Sequence, residues 1–385
     1  MPDDWENGGF GIYIHWPFCE AKCPYCDFNS HVARKIDHAA WCAAYLFEID
    51  RLAQQTHGRV LSSVFFGGGT PSLMDPETVA AVLERIHKHW PVANRVEVTL
   101  EANPSSVEAT RFAAFKDAGV NRISMGIQAL NDTDLRKLGR LHSAQEARAA
   151  FDIARRTFNR VSFDLIYARQ DQSLDRWRSE LREALSMAVD HLSLYQLTIE
   201  PGTAFGDRYR VGKLAGLPSE DLGADLFDLT RELCAKHGMP AYEVSNHAQD
   251  GAASRHNLIY WRYGDYLGIG PGAHGRVTVG GQRWATENWS NPQRWLDEVG
   301  TGSGEKPRSL LSIRDQSVEF LLMGLRLSEG IDLSRLEAMG AEPLRDTHLD
   351  QMQELGMAYL LEDRLIIRKQ GFNVLNSLIE KLIVS

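Results

Sequence analysis

Gly11-Ile12-Tyr13-Ile14-His15-Trp16-Pro17-Phe18-Cys19-Glu20-Ala21-Lys22-Cys23-Pro24-Tyr25-Cys26 is the stretch that decides the fold. Gly11–His15 is short and apolar, as a buried parallel strand should be. It runs almost at once into three cysteines. Thiolates that close together repel and oxidise unless a metal holds them. A structural zinc site wants four ligands, and neither His15 nor His31 stands at a usual zinc spacing. An iron–sulfur cluster is also bound by thiolates, and three of them on a cubane leave one iron open to a substrate or cofactor. The cluster is the favoured reading, ahead of zinc and of a metal-free site. Cys42 and Cys234 sit among apolar neighbours in expected helices and read as small buried hydrophobes. Five cysteines in all do not make a disulfide framework.

Downstream, the pattern of the first strand repeats. Short apolar runs recur at Leu61–Phe66, Val96–Leu100, Arg122–Gly126, Val161–Ile166 and Leu192–Leu197. Between them lie segments with helical spacing: Ala39–Leu52, Pro76–His89, Ser106–Ala118, Ala144–Thr157 and Leu174–Ala188. Asp75-Pro76 and Ser143 with Glu146 are helix-start signals. Six β-then-α units in a row predict an α/β fold with a parallel sheet and outer helices. A full (β/α)8 barrel takes about 250 residues. The units here end near residue 200, so a partial (β/α)6 TIM-type barrel is expected.

Such barrels place their chemistry at the carboxyl ends of the strands. Here those ends carry the three cysteines, Gly67-Gly68-Gly69-Thr70-Pro71, Glu101 with Asn103, Gln128, Asp164, and Gln196 with Thr198 and Glu200. One polar loop means little. Six converging on one mouth predict a site.

The chain has 385 residues and a net charge of −9. Its composition is globular, and its acidity argues against a nucleic-acid coat. No run approaches the ~20 apolar residues of a membrane span. The acidic start lacks a secretory signal, so a cytoplasmic location is expected. Past Lys213 the pattern loosens into a Gly- and aromatic-rich region, and Gly268-Ile269-Gly270-Pro271-Gly272 is no dinucleotide fingerprint. Residues 299–305 read as a linker or loop. Helices near Gln316–Leu327, Leu333–Gly340 and Thr347–Leu355, then a hairpin over Leu360–Arg368, resemble a winged helix. From 310 onward 8 Lys and Arg face 12 Asp and Glu, a net charge of −4 that favours a lid or docking role over DNA binding.

The spacing Cys19-x-x-x-Cys23-x-x-Cys26 resembles the signature of the radical S-adenosylmethionine superfamily. Tyr13-Ile14-His15-Trp16-Pro17-Phe18 and the Gly67–Pro71 block are similar to the oxygen-independent coproporphyrinogen III oxidase group and its heme chaperone branch. The resemblance covers nearly the whole chain. It implies a [4Fe-4S] cluster on Cys19, Cys23 and Cys26, and S-adenosylmethionine on the open iron. It implies that Tyr13, Gly68 and Glu101 contact that cofactor. Tyr25, Gly69, Thr70, Gln128, Arg140, Asp164 and Thr198 match residues that contact a second one in the oxidase. The glycines would let the backbone approach a ligand, Tyr25 could pack on an adenine, and Arg140 suits a carboxylate.

Two departures weaken the oxidase reading. Phe28 stands where the oxidase has a fourth cysteine, and only 18 residues precede Cys19. A further departure is Tyr167-Ala168-Arg169-Gln170, where relatives usually show Gly-Leu-Pro. In contrast, His256-Asn257-Leu258-Ile259-Tyr260-Trp261 matches the H-N-x-x-Y-W motif of the heme chaperone branch. His256 is a candidate axial ligand, with His274 a weaker one. The plainer reading is that His256 and Asn257 cap a loop while Tyr260 and Trp261 fill a domain interface. The expected layout is a radical S-adenosylmethionine barrel over 1–240, a connecting region over 241–305 and a mainly helical, winged-helix-like domain over 306–385. The expected function is heme carriage to an acceptor such as a respiratory, membrane-associated heme protein. Coproporphyrinogen III decarboxylation is the alternative, and a radical enzyme acting on RNA is disfavoured by the acidic tail.

Overall fold

The computed structural model describes residues 3–33 and 35–383, with the backbone alone for Ser106 and Val107. All six expected strand runs form; the first five are a little longer than their apolar stretches, and the sixth is shifted one residue toward the N-terminus. They are β1 (Phe10–Trp16), β2 (Leu61–Gly68), β3 (Val92–Ala102), β4 (Arg122–Gln128), β5 (Arg160–Tyr167) and β6 (His191–Gln196). Helices α1 (His38–Thr56) and α2 (Pro76–His89) follow β1 and β2. The expected helix Ser106–Ala118 is broken, leaving a turn at Ser106–Ala109 and α3 (Phe112–Asp117). Next come α4 (Ala144–Thr157), α5 (Leu174–Met187) and α6 (Glu220–Lys236). The sequence signal for α4 is a complete capping box. Ser143 Oγ accepts the Glu146 N–H at 3.2 Å, and Glu146 Oε2 accepts the Ser143 N–H at 2.8 Å.

Residues 241–305, expected as a connecting region, continue the same sheet. They supply β7 (Asn246–Ala248), α7 (Arg255–Trp261), β8 (Asp265–Ile269), β9 (His274–Val279), β10 (Gln282–Glu287) and α8 (Pro292–Thr301); β11 (Ser309–Leu310) follows. The strand order is β11-β10-β9-β8-β1-β2-β3-β4-β5-β6-β7. Pairing is parallel from β8 through β6 and antiparallel at both flanks. Thus β1 is an inner strand, with β8 on the side away from β2. Of 299–305, expected as a linker or loop, the first three residues end α8 and the rest is a tethered loop. The Gly304 N–H donates to Glu48 Oε1 at 3.2 Å, and Arg51 pairs with Glu305 at 2.9 Å.

Register divides the sheet into two chemically different faces. Ile12, Val64 and Val98 align across one face, as do Ile14, Phe66, Leu100 and Ile123; all are buried. Trp41 of α1 packs into the same core and stacks on Trp295 of α8, with centroids 5.4 Å apart and planes at 11°. Such a pair adds about 0.5–1.5 kcal/mol beyond area burial. The other face aligns Tyr13, Phe65, Thr99, Arg122 and Arg160, then Glu101, Ser124, Ser162 and His191. A polar inner face is legible in Val96-Glu97-Val98-Thr99-Leu100-Glu101, which alternates with period two.

From α9 (Ile313–Gly324) onward the chain forms a separate three-stranded sheet. Its strands are β12 (Ile331–Asp332), β13 (Ala358–Leu361) and β14 (Arg364–Ile367), in the order β12-β14-β13. Helices Leu333–Ala338, Asp346–Glu354 and Leu375–Ile383 complete this part. Ion pairs join it to the rest of the fold: Arg276 of β9 to Glu319 at 2.6 Å, and Arg335 to Asp4 of the N-terminal turn at 2.7 Å. No helix among the described residues is long and apolar enough to cross a membrane.

Candidate functional site

The cysteine loop leaves β1 and is pinned at its base. Phe18 and Cys19 pair in parallel with His31 and Val32. Asn29 Nδ2 donates to the carbonyls of Pro271 and Ser290, each at 2.9 Å. The glycine-rich turn after β2 runs beside the loop entrance. Its Gly69 N–H donates to Trp16 O at 2.7 Å and its Thr70 N–H to Phe18 O at 2.8 Å. A Cβ on Gly69 would lie 2.6 Å from the Phe18 carbonyl oxygen, so only glycine permits the approach. Gly68 has φ +112°, and a Cβ there would stand 2.6 Å from the His15 ring. Gly68→Ala is therefore expected to cost about 1–3 kcal/mol in stability. Denaturant unfolding checks this, and an unchanged midpoint would refute it.

Cys19, Cys23 and Cys26 line one cavity of about 170 Å³ at the strand ends, together with Tyr25, Gly68, Gly69 and Thr70. Glu101, Gln128, Arg140 and Asp164 form the rest of its expected wall. Tyr13 lines an adjoining cavity instead. Thr198 lies exposed beyond β6 and His256 lies in the barrel interior; neither lines this cavity.

Hydrogen bonds tie two of the thiols together through a residue that sequence reasoning noted only as a strand end. The Thr70 hydroxyl donates to Cys19 Sγ at 3.4 Å and accepts from Asn103 Nδ2 at 3.1 Å. Arg140 donates to Asn103 Oδ1 at 2.7 Å, to Gly126 O at 2.8 Å and to Cys23 Sγ at 3.4 Å. Asn103 is itself held by Glu108, which accepts its N–H at 2.8 Å. Sulfur ligands held by such donors have their charge stabilised, which is how a protein tunes a bound cluster. No group of three or more His, Cys, Asp or Glu among the described residues is spaced to hold a single ion. Three thiols gathered at the strand ends in one cavity are the donor type that iron–sulfur clusters take.

Behind the cysteines lie two carboxyls. Glu101 accepts the Gly68 N–H at 3.3 Å. Burial raises its pKa to about 8, with the charge of Asp164 adding to the rise. Burial also raises Asp164 to about 6, against the Ser193 hydroxyl and Arg122. Two desolvated carboxyls favour a cation placed near them. Gln128 Oε1, Asp164 Oδ1 and Arg140 Nε are buried without hydrogen-bond partners. Gln128 also holds φ 71°. Such orphaned groups each cost about 1–3 kcal/mol, which a polar ligand would recover.

His256 lies on α7, away from the cysteines. Its Nδ1 meets Ser63 Oγ at 3.2 Å. Its ring stacks on Phe65 at 4.4 Å and on Tyr13 at 5.9 Å, and meets Tyr260 edge-on at 4.7 Å. Burial lowers its pKa to about 3, so it is neutral. The unusual Arg169 is buried and pairs with Asp134 at 3.1 Å and with Glu180, filling the space beneath the loop after β5.

A Radical SAM superfamily profile matches residues 13–183. The chain is 38% identical over 379 residues to the protein named heme chaperone HemW in Escherichia coli, covering 96% of this chain and 97% of that one. It is 40% identical over 388 residues to the mitochondrial radical S-adenosyl methionine domain-containing protein 1 of Bos taurus, covering 97% and 87%. The chain belongs to the radical SAM superfamily, in the family of these relatives. In fold it matches the coproporphyrinogen III oxidase HemN of Escherichia coli, with a TM-score of 0.80 over 97% of this chain and 90% of that one, at 20% identity.

Proposed function

We propose that this chain is a heme chaperone that holds a [4Fe-4S] cluster on Cys19, Cys23 and Cys26, binds S-adenosylmethionine beside it, and delivers heme to an acceptor protein. The carrying observation is a single cavity that gathers the three thiols, an unpartnered guanidinium nitrogen and two raised carboxyls. That donor set fits an amino acid cofactor: a carboxylate for Arg140 and the N–H groups of an amine for Glu101. When bound, the cluster supplies an open iron for the cofactor's amino and carboxylate groups and an electron for its sulfonium. Tyr13 and Gly68 border that position in this reading. Tyr25 offers a ring face to adenine, and Gly69, Thr70, Gln128 and Asp164 hold polar edges. Thr198 would reach the ligand only by a movement of the loop after β6.

The chaperone reading is supported over the decarboxylase by the full-length identity to HemW and by Phe28, exposed at the cavity mouth where the oxidase has a cysteine. The test uses anaerobically reconstituted full chain. Heme titration is expected to give a saturable spectral change. Reductant, S-adenosylmethionine and coproporphyrinogen III together are expected to give no protoporphyrinogen IX. Formation of that product in step with 5′-deoxyadenosine would overturn the chaperone assignment.

A further inference from the structure

A second cavity of about 310 Å³ opens beside the cysteine site. The two share Phe28, Gly68 and Glu101 as a common wall. Its remaining surface is largely aromatic. Tyr13 forms one side, and Tyr260 meets Tyr266 edge-on with centroids 4.2 Å apart. Phe28 stands 59% exposed at the rim. A large exposed aromatic beside further aromatic surface suits a flat, apolar ligand.

Two histidines line this cavity, His15 and His274. Both ring nitrogens of His15 are engaged: Nε2 donates to Asn29 O at 2.9 Å, so Nδ1 accepts from the Tyr13 hydroxyl at 2.9 Å. His274 begins β9 and is exposed, and its ring makes no side-chain hydrogen bond or ion pair with the described residues. Burial lowers its pKa, which keeps the imidazole neutral and its lone pair available at neutral pH. His256 offers the opposite picture. Aromatic rings cover it, its Nδ1 is engaged by Ser63, and it lines neither cavity.

We propose that the porphyrin of heme sits in this aromatic cavity, beside the cluster site, and that His274 supplies its axial nitrogen. The inference rests on the heme-carrying reading and locates it. His256 then acts from behind, as the ring on which Tyr13 and Tyr260 pack.

The experiment is hemin titration of the cluster-reconstituted full chain, followed by the Soret band and by binding affinity. His274→Ala is expected to shift the Soret band and weaken binding by at least about tenfold, comparable to disrupting a metal site. Added imidazole should restore the wild-type spectrum, which a merely structural defect would not allow. Cluster absorbance of the variant should match wild type. An unchanged Soret band and affinity in His274→Ala would overturn the proposal. So would loss of the band in His256→Gln with His274→Ala unaffected. Wild type that binds no heme would instead refute the chaperone reading itself.

Discussion

Cys23→Ser is expected to abolish cluster assembly while leaving the fold intact. Serine offers a hard hydroxyl in place of a soft thiolate, and a cluster held at three points loses one of them. Arg140 also loses its sulfur acceptor and keeps only the oxygens of Asn103 and Gly126. The fold does not depend on the thiol. The loop is pinned by the Phe18–His31 pairing and by Asn29, and all three cysteines remain partly exposed. Anaerobic reconstitution should leave visible cluster absorbance near background with an unchanged circular dichroism spectrum. Retained cluster would remove Cys23 from the ligand set. Unfolding would mean that the cluster is structural. Heme titration of the same variant then reads whether the porphyrin site needs the cluster.

Glu101→Gln is expected to produce two opposite effects. The folded carboxyl titrates near 8, against 4.5 as the ordinary value. Between those values the folded state keeps a proton that the unfolded state has released, so stability falls as pH rises through that window. Asp164, raised from 3.8 to about 6, adds a slope of the same sign lower down. Glutamine cannot ionise, so the ligand-free variant should be more stable than wild type at pH 8 and similar at pH 4. Urea unfolding across this range reads the difference. Binding of S-adenosylmethionine should move the other way. A hydrogen bond to a charged group contributes about 1.5–3 kcal/mol, so removing the carboxylate that accepts from the cofactor's amino group should weaken affinity by roughly ten- to a hundredfold. In wild type, binding should release a proton near pH 7, which calorimetry in buffers of different ionisation enthalpy detects. Equal affinity in the variant would place the amino group elsewhere.

The barrel was legible because its strands carry β-branched and aromatic residues on the helix-facing side, a signal that needs no distant partner. The capping box of α4 and the proline start of α2 are equally local. β8 escaped notice because Asp265–Ile269 is short and contains Gly268, a glycine needed where His274 O crowds the strand. Its pairing with β1 is a long-range choice. The site divides in the same way. Gly68, Glu101, Gln128 and Asp164 lie in the carboxyl-terminal halves of their strands, and the cysteines and Gly69 come just after theirs, so strand position located them. Arg140 came from a motif. Asn103 was visible only as a strand end, because its value lies in bridging Thr70 and Arg140. The inward turn of His256 depends on α7 docking against Glu97, which accepts the Arg255 N–H at 2.9 Å. The motif gives no sign of that packing.

The pairing of β1 with β8 also bears on the order of events during synthesis. The strand that launches the cysteine loop leaves the ribosome ahead of its neighbour β8. Its second neighbour is made far later, and Asn29, which fastens the loop, has an acceptor 242 positions away. Until those residues emerge, one edge of β1 lacks its native backbone partner. The nascent chain therefore presents its thiols on an unfinished platform, exposed to oxidants and to passing metal ions. Loading with iron and sulfide belongs after β8 and Ser290 have emerged, and growth conditions that slow translation should raise the share of protein that never acquires its cluster.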